Sequence, residues 1–291
     1  METKKNTVLI IGSSSYSAQS FISKYNQNNE HRIIGLTSKA KESSQNLSHD
    51  VFTYDEVEML SDIQFDLVVI FASRLPSEGI GDAEYFEFNE VLKKTISDCV
   101  FMSTNSRIVF LSTFAVYDST ASKLDELTEL KPRDAYASAK IEMESFILKW
   151  AAVRNTQAII ARMPVFLYQK GNSNFINKLA TQIRLKGEFQ LSNADQKFGA
   201  VFSIDSLVEL CKTANKTSAI VNCSSDPDIT FRELAELAVR FGLRDIGWKV
   251  SNSPSPVIKM TTLSNFIQVA SARRQIINYL EKELEINDSV I

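Results

Sequence analysis

Short apolar runs alternate with helix-like segments along the first half of the chain. The runs that predict strands are VLII (8–11), RIIGL (32–36), VFTY (51–54), FDLVVIFA (65–72), RIVFLS (107–112) and AIIAR (158–162). The FDLVVIFA run is almost continuously apolar, which is typical of a parallel strand covered on both faces. Repeated strand–helix–strand units with right-handed crossovers predict an α/β fold with a doubly wound parallel sheet.

Helices are predicted over 17–25, 85–101, 135–153, 175–186, 230–241 and 270–284, and a further strand over 220–223. Asp134 follows Pro132 and stands where it can cap the long third helix. We expect residues 1–162 with 200–223 to form the sheet domain. Residues 163–199 with 224–291 are expected to form a smaller substrate-binding cap, and the two parts to make one compact unit.

The overall composition excludes several classes of protein. The 291 residues include 32 Lys and Arg against 35 Asp and Glu, a formal net charge of −3, which indicates no basic surface for nucleic acid or an anionic membrane. No apolar run reaches the roughly 20 residues of a membrane-spanning helix. The first residues lack a signal-peptide pattern, so a cytoplasmic protein is expected.

Cysteine and histidine are too sparse for metal or hydrolase chemistry. The three cysteines, Cys99, Cys211 and Cys223, form no CxxC pair, so neither a zinc site nor a disulfide framework is predicted. The two histidines, His31 and His49, and the absence of a GxSxG motif disfavour a Ser-His-Asp hydrolase.

The segment after the first predicted strand reads GSSSYSA (12–18). A dinucleotide-binding turn of the form GxxGxxG would have glycines at 12, 15 and 18. Only Gly12 is present, with Ser15 and Ala18 at the other places. Alanine still allows close helix–sheet packing, and serine hydroxyls can face a phosphate at a helix N-terminus. Taken alone, the motif favours the alternative, an ordinary serine-rich strand-to-helix turn.

Tyr136 and Lys140 are the sharpest chemical feature of the sequence. They are four residues apart on a predicted helix and so share one face. A neighbouring ammonium can lower the pKa of a phenol toward the range where it works as an acid–base group. Ser112 and Thr113 end a predicted strand, and a hydroxyl there can hold the oxygen that Tyr136 protonates. A solvated Tyr–Lys pair is the alternative for the spacing alone.

In order and spacing, these residues resemble the extended short-chain dehydrogenase/reductase family, the NAD-dependent epimerases and dehydratases. The resemblance covers roughly residues 7–240. It also includes Asn89 in FEFNEVL, RIVFLSTFAVY (107–117), Glu144 and IVNCSSDPDITFRELAEL (220–237). It implies a Rossmann-like fold.

The resemblance implies roles for four residues. Tyr136 would be the acid–base group, and Lys140 would lower its pKa and bind the nicotinamide ribose. Thr113 would hold the substrate oxygen, and Asn89 would support the region around Lys140. A catalytic site of this kind needs no metal.

NAD(P) is the cofactor that the resemblance implies. Its expected contacts are Gly12, Ser14, Ser15, Tyr16, Thr37, Ser38, Lys39, Ala72, Ser73, Ser112, Lys140 and Arg162. An NAD enzyme usually carries an acidic residue at the end of the second strand. Residues 37–39 read TSK and offer hydroxyls and a cation instead, so NADP(H) is expected in preference to NAD(H).

Within the family, the chain is most similar to dTDP-4-dehydrorhamnose reductases, through TFAVYD (113–118), GNSNF (171–175) and DQKFGA (195–200). This similarity implies reduction of a nucleotide-activated 4-keto sugar in surface polysaccharide biosynthesis. Cations expected near the diphosphate are Arg162, Lys170, Lys178, Arg184 and Lys186.

Other readings of the sequence stay open. Phe114 and Ala115 stand where dehydratases carry an Asp-Glu pair, which argues against dehydration. A nucleotide-sugar 4-epimerase and a non-catalytic nucleotide-binding relative remain alternatives, and so does a homodimeric state.

Overall fold

Seven parallel strands form the central sheet of the computed structural model. They are β1 (Asn6–Ile11), β2 (His31–Thr37), β3 (Asp50–Thr53), β4 (Leu67–Ile70), β5 (Arg107–Thr113), β7 (Gln157–Met163) and β12 (Ala219–Asn222). Their order across the sheet is β12-β7-β5-β4-β1-β2-β3, and all neighbouring pairs are parallel. The direction of winding reverses between β1 and β4, the kind of place where α/β sheets bind ligands. The predicted doubly wound parallel sheet is confirmed.

The structure describes residues 5–38, 49–76, 79–99, 106–118, 123–168, 174–213, 217–249, 257–258 and 263–284. Its helices are α1 (Tyr16–Tyr25), α2 (Asp82–Cys99), α3 (Ala135–Arg154), α4 (Phe175–Arg184), α5 (Ile204–Thr213), α6 (Phe231–Arg240) and α7 (Ala272–Glu283). Helices α1 and α5 pack on one face of the sheet, and α2 and α3 on the other. Because both faces are covered, all four residues of β4 are buried.

Helix α3 begins where the sequence predicts. The side chain of Asp134 accepts a hydrogen bond from the Ala137 amide at 2.8 Å and caps the first turn. The helix ends at Asn155, whose φ of 52° is the left-handed conformation common at helix C-termini. This cap places Tyr136 in the first turn of the helix, beside the carboxyl end of the sheet.

A third apolar cluster forms beyond the sheet, from side chains of α4, α6, α7 and short strands. The remaining strands are β6 (Lys123–Leu124), β8 (Val165–Leu167), β9 (Glu188–Ser192), β10 (Lys197–Phe198), β11 (Val201–Ser203), β13 (Ile229–Thr230), β14 (Asp245–Lys249) and β15 (Val257–Ile258). They pair two by two: β6 with β15, β8 with β11, β9 with β14, and β10 with β13. The proposed boundaries between sheet domain and cap stay a prediction.

Candidate active site

The turn after β1 keeps a glycine where its backbone requires one. Gly12 has a φ of +86°, which L side chains rarely adopt, and its amide donates to the Leu36 carbonyl oxygen at 2.7 Å. A Cβ at this position would lie 2.6 Å from the backbone nitrogen of Ala72. The ends of β1, β2 and β4 therefore meet at Gly12, and a side chain there would separate them.

Ser15 and Ala18 occupy the other two glycine positions without strain. Ser15 has a φ of −74° and caps α1, with its hydroxyl accepting from the Ala18 amide at 3.2 Å. Ala18 is fully buried against the sheet. The turn thus forms although two glycines are replaced, and it leads directly into a helix N-terminus, which favours an anion.

Two other predicted cofactor contacts lie together at this edge. The Thr37 hydroxyl, at the end of β2, donates to Ser14 Oγ at 2.8 Å. Tyr16 is exposed in the first turn of α1, and Ser38 is exposed after β2. Lys39 lies outside the described residues.

His49 is a neighbour of the turn that sequence reasoning missed. A Cβ on Gly35 of β2 would come 2.8 Å from His49 Nε2 and 2.6 Å from Ser13 Oγ. These polar atoms are buried and have no hydrogen-bond partner among the described residues, and burial lowers the pKa of His49. Unpaired buried polar atoms beside a helix N-terminus fit a polar, phosphate-bearing ligand such as NAD(P). A glycine inside a strand was the available signal, since it indicates close approach of another group.

Three of the four predicted catalytic residues, Thr113, Tyr136 and Lys140, meet at the end of β5. The Thr113 hydroxyl lies close enough to the Tyr136 phenol to lower its pKa. The Lys140 ammonium donates to the Leu111 carbonyl oxygen at 2.7 Å and lies 6.0 Å from the centroid of the Tyr136 ring. Lys140 is buried, with 6% of its surface exposed. The structure therefore brings a phenol, a hydroxyl and an ammonium into one cluster.

The pKa values of Tyr136 and Lys140 shift in directions that the sequence did not predict. Burial raises the pKa of Tyr136, and the nearby Thr113 side chain opposes that rise only in part. Burial also lowers the pKa of Lys140 to about 7, with the Glu144 carboxylate opposing the shift. That Lys140 lowers the pKa of Tyr136 stays a prediction; the groups that shift this pKa here, besides burial, are Thr113, Asp134 and Tyr85. The ammonium reaches a backbone carbonyl rather than the phenol, and its own charge is costly where it lies.

Asn89 ties α2 to α3 next to Lys140. Its side-chain amide donates to the Ala139 carbonyl oxygen at 2.9 Å and to Glu142 Oε2 at 2.8 Å. This position suits the supporting role proposed for Asn89. The predicted contacts Ala72 and Ser73, which follow β4, line the same small cleft as Tyr136 and Lys140.

Two predicted cofactor contacts lie in the interior of the protein instead. The Ser112 hydroxyl donates to Glu144 Oε1, and Arg162 forms a bidentate pair with Glu144, with its Nη2 2.7 Å from Oε2. Arg162 is 2% exposed, and its third nitrogen donates to the Tyr117 hydroxyl at 2.7 Å. The predictions that Ser112 contacts the cofactor and that Arg162 binds cofactor or diphosphate are therefore corrected. The sequence could not reveal that both side chains turn toward Glu144.

A cavity of about 650 Å³ opens beside Thr113. Its other lining residues include Tyr117, Asp118, Arg133, Asn174, Gln196, Lys197, Gly199 and Ser225. Segments 171–175 and 195–200, singled out in the sequence, thus contribute Asn174, Gln196 and Gly199 to its wall. The volume lies in the range of sites that hold a ligand larger than a simple monosaccharide.

The cations at this cavity are not those predicted. Arg184 pairs with Glu283 at 2.9 Å, and Lys178 lines a separate groove between α4 and β9. Lys186, just beyond α4, does not line the cavity beside Thr113, and Lys170 lies outside the described residues. Arg133 and Lys197 line the cavity instead, because the loop before α3 and strand β10 carry them there.

The described ranges hold neither a metal-binding group of side chains nor a membrane-spanning helix. No group of three or more His, Cys, Asp or Glu side chains in them could hold a metal ion. No helix in the part of the chain that the structure describes is long and apolar enough to cross a membrane. The three cysteines are buried and free.

The fold and the Thr–Tyr–Lys cluster define a nucleotide-dependent oxidoreductase class, and sequence comparison identifies the family. The model of the NAD dependent epimerase/dehydratase family matches residues 8–205. The chain belongs to this family and is an NAD(P)-dependent enzyme of the short-chain dehydrogenase type. No curated protein matches it significantly.

Solved structures share the fold at low sequence identity. UDP-N-acetylglucosamine 4-epimerase from Bacillus cereus is 18% identical with a TM-score of 0.76, covering 99% of this chain and 98% of that one. UDP-glucuronic acid 4-epimerase from Bacillus cereus, in complex with NAD, is 13% identical with a TM-score of 0.77, covering 96% and 95%. ADP-L-glycero-D-manno-heptose-6-epimerase from Helicobacter pylori is 12% identical with a TM-score of 0.77, covering 99% of both chains. At these identities the likeness establishes the fold.

Proposed function

We propose that the chain is an NAD(P)H-dependent reductase of a nucleotide-activated 4-keto sugar. The observation that carries the proposal is the grouping of Thr113, which lines the 650 Å³ cavity and lowers the pKa of Tyr136, with Tyr136 and the buried Lys140, which line the adjoining cleft. A phenol and a hydroxyl on one oxygen of a substrate are the groups that a carbonyl reduction needs.

In this proposal, the residues of the chain bind and orient the sugar and move one proton. Thr113 donates a hydrogen bond to the C4 carbonyl oxygen, and Tyr136 gives that oxygen its phenolic proton as the carbonyl becomes an alcohol. When bound, reduced NAD(P) supplies the hydride that C4 receives. Gly12, Ser14 and Thr37 are the residues that would hold the dinucleotide at the edge of the sheet.

The protonation of Tyr136 supports reduction as the direction of the reaction. Burial raises the pKa of Tyr136 above its usual value, so the phenol stays protonated at neutral pH. A protonated phenol can donate to a carbonyl oxygen, whereas oxidation of an alcohol needs a phenolate to accept a proton. The site is therefore better prepared for the reductive direction.

The lining of the cavity supports a nucleotide-linked substrate. Arg133 and Lys197 supply two cations that a diphosphate can contact. Asn174, Gln196 and Gly199 belong to the segments that resemble dTDP-4-dehydrorhamnose reductases. We therefore place the substrate among dTDP-4-keto-6-deoxyhexoses.

A 4-epimerase is the second candidate. It is favoured by the solved structures with this fold, several of which are described as 4-epimerases. An epimerase regenerates its cofactor in each cycle, whereas a reductase consumes one reduced cofactor per product.

The experiment incubates the protein with a dTDP-4-keto-6-deoxyhexose and reduced cofactor and follows the nicotinamide absorbance. Stoichiometric loss of reduced cofactor supports the reductase. Interconversion of epimers of a nucleotide sugar without net oxidation would overturn it in favour of the epimerase. The same assay is run with Tyr136→Phe, which should slow the loss of reduced cofactor. Tyr25 is a buried tyrosine on α1, so Tyr25→Phe is the matched control.

The preference for NADP(H) is part of the proposal. Strand β2 ends at Thr37, and the exposed Ser38 follows it, so no carboxylate at these two positions repels a 2′-phosphate. Dissociation constants for NADPH and NADH in wild type and Lys39→Ala test this preference. Tighter binding of NADH that is unchanged in Lys39→Ala would refute it.

A further inference from the structure

A buried hydrogen-bonded cluster lies directly behind the catalytic residues. We define the Glu144 cluster as Ser112, Tyr117, Glu144, Arg162 and Asn222. Glu144 accepts from Ser112 and from two nitrogens of Arg162, at 3.1 and 2.7 Å for the latter. The Tyr117 hydroxyl accepts from Arg162 and donates to Asn222 Oδ1, both at 2.7 Å. All five side chains are buried.

The cluster connects α3 to three adjacent strands. Ser112, Arg162 and Asn222 are direct neighbours across β5, β7 and β12. Glu144 is one helical turn after Lys140 and two turns after Tyr136, on the same face of α3. The contacts of Glu144 therefore set how the face that carries Tyr136 and Lys140 lies on the end of β5.

Stability alone does not explain an ion pair at this depth. The side chains of Arg162 and Glu144 are 2% and 4% exposed, and desolvation of two charges offsets most of their attraction. An apolar pair of similar volume could hold the helix on the sheet as well. The charge itself must then act on something nearby, and Lys140 lies one turn away.

We propose that Glu144 is a positioning residue for Lys140: anchored by Arg162 and Ser112, its carboxylate keeps the buried ammonium charged and in place within the catalytic cluster. The inference rests on the proposed catalytic role of Tyr136 and Lys140.

Among the residues that the structure describes around Lys140, Glu144 supplies the negative charge that acts on it. From α3 it faces Tyr136 and Glu144, and from α2 Tyr85 and Asn89 line the same cleft. Arg74, from the segment after β4, lines it as well. Burial lowers the pKa of Lys140 to about 7, and Glu144 is the group whose charge opposes this. Without Glu144, the pKa of Lys140 would fall further.

The pH dependence of stability measures this effect without substrate or cofactor. A lysine with a lowered pKa in the folded state costs stability below that pKa, and the cost disappears as the pH rises toward the unfolded value of about 10.4. The unfolding free energy of wild type minus that of Lys140→Met should be flat at low pH and should rise from about pH 7. The onset of the rise reports the pKa of Lys140 in the folded protein.

The test repeats this difference in a background without the Glu144 charge. Glu144→Gln alone would leave Arg162 unpaired, so the background is Glu144→Gln/Arg162→Met, which removes both charges. The onset is expected to move down by about one pH unit, because loss of a nearby opposite charge lowers the pKa of a lysine by roughly 1–3 units and loss of the Arg162 cation offsets part of that change. An onset at the wild-type pH would overturn the proposal.

Two further variants make the result specific. Glu142→Gln removes a carboxylate from the same helix, one that contacts Lys93 and Asn89 rather than Lys140, and it should leave the onset unchanged. A shift as large as that of the charge-free background would count against Glu144.

Ser112→Ala replaces the Glu144→Gln/Arg162→Met background in this titration if that background does not fold. It keeps both charges but frees Glu144 from β5, so a smaller downward shift is expected, and no shift would contradict the anchoring role. The titration needs no turnover. A failure of the proposed reaction therefore leaves this result intact, and the reverse also holds.

Discussion

The turn after β1 and the cluster at the end of β5 depart from the family pattern to different degrees, and the structure explains why. At the turn, two of three expected glycines are replaced, yet the backbone needs a glycine only at Gly12, where φ is +86°. Ser15 has an ordinary φ and caps α1. Outside Gly12, the turn therefore depends on backbone conformations that several residue types can provide.

The proposed catalytic cluster depends on side-chain chemistry, which few other residue types can provide. Thr113, Tyr136 and Lys140 each contribute a different functional group, and Lys140 is held by a hydrogen bond to the Leu111 carbonyl oxygen. A replacement that preserves shape would still remove a proton donor or a charge. This difference predicts that substitutions at the cluster abolish chemistry with little effect on folding, whereas those at the turn affect folding or cofactor binding.

The largest effect is expected for Tyr136→Phe. Loss of the phenolic proton should reduce turnover by about 10²–10⁴-fold, the usual contribution of a general acid. Unfolding free energy and cofactor affinity should change little, since the ring remains. Steady-state kinetics with a denaturant titration measures both. Normal turnover would remove Tyr136 from the mechanism.

Gly12→Ala should have the largest effect on stability. A Cβ there would lie 2.6 Å from the Ala72 backbone nitrogen, and the positive φ adds strain, so we expect a loss of about 2–4 kcal/mol. Thermal or urea unfolding measures this loss. A change below about 0.5 kcal/mol, the range of ordinary surface substitutions, would contradict the close approach.

Gly35→Ala should cost less than Gly12→Ala. The added Cβ meets Ser13 Oγ and His49 Nε2, which are ends of side chains rather than backbone. These groups can move, so the expected loss is about 1–2 kcal/mol. The same unfolding measurement compares the two variants. A larger loss of stability in Gly35→Ala than in Gly12→Ala would contradict the close contact between Gly12 and the Ala72 backbone.

Ser15→Gly should have the smallest effect. Glycine is a tolerated helix cap, so the expected loss is a few tenths of a kcal/mol, whereas Ser15→Ala should cost about 1 kcal/mol. If the turn works as described, Ser15→Gly will leave affinity for NAD(P) within about twofold of wild type. A large gain in affinity would mean that Ser15 obstructs the cofactor.

Much of the sheet could be predicted because its strands are apolar on both faces. The apolar runs 65–72 and 107–112 predict buried strands, and the structure has β4 (Leu67–Ile70) and β5 (Arg107–Thr113) there. The strands β9 and β14 were missed because they pair only with each other, and most of their residues are partly exposed. Helix α5 was also missed.

The part of the site that is defined by residue type and spacing could be predicted from the sequence. Tyr136 and Lys140 share a helix face, and Thr113 ends a strand, so their meeting follows from the fold class. Arg162 was misassigned because a buried arginine and a phosphate-binding one look alike in sequence. Its cross-strand neighbour Ser112 and the facing Glu144 become visible only in three dimensions.

Titration of the protein with NADH and NADPH by isothermal calorimetry tests the central claim, that a turn with one glycine still builds a dinucleotide site beside an intact catalytic cluster. The account predicts saturable binding at one site per chain that persists in Ser15→Gly and Tyr136→Phe and is weakened in Gly12→Ala. Absence of binding to wild type at millimolar cofactor would contradict it.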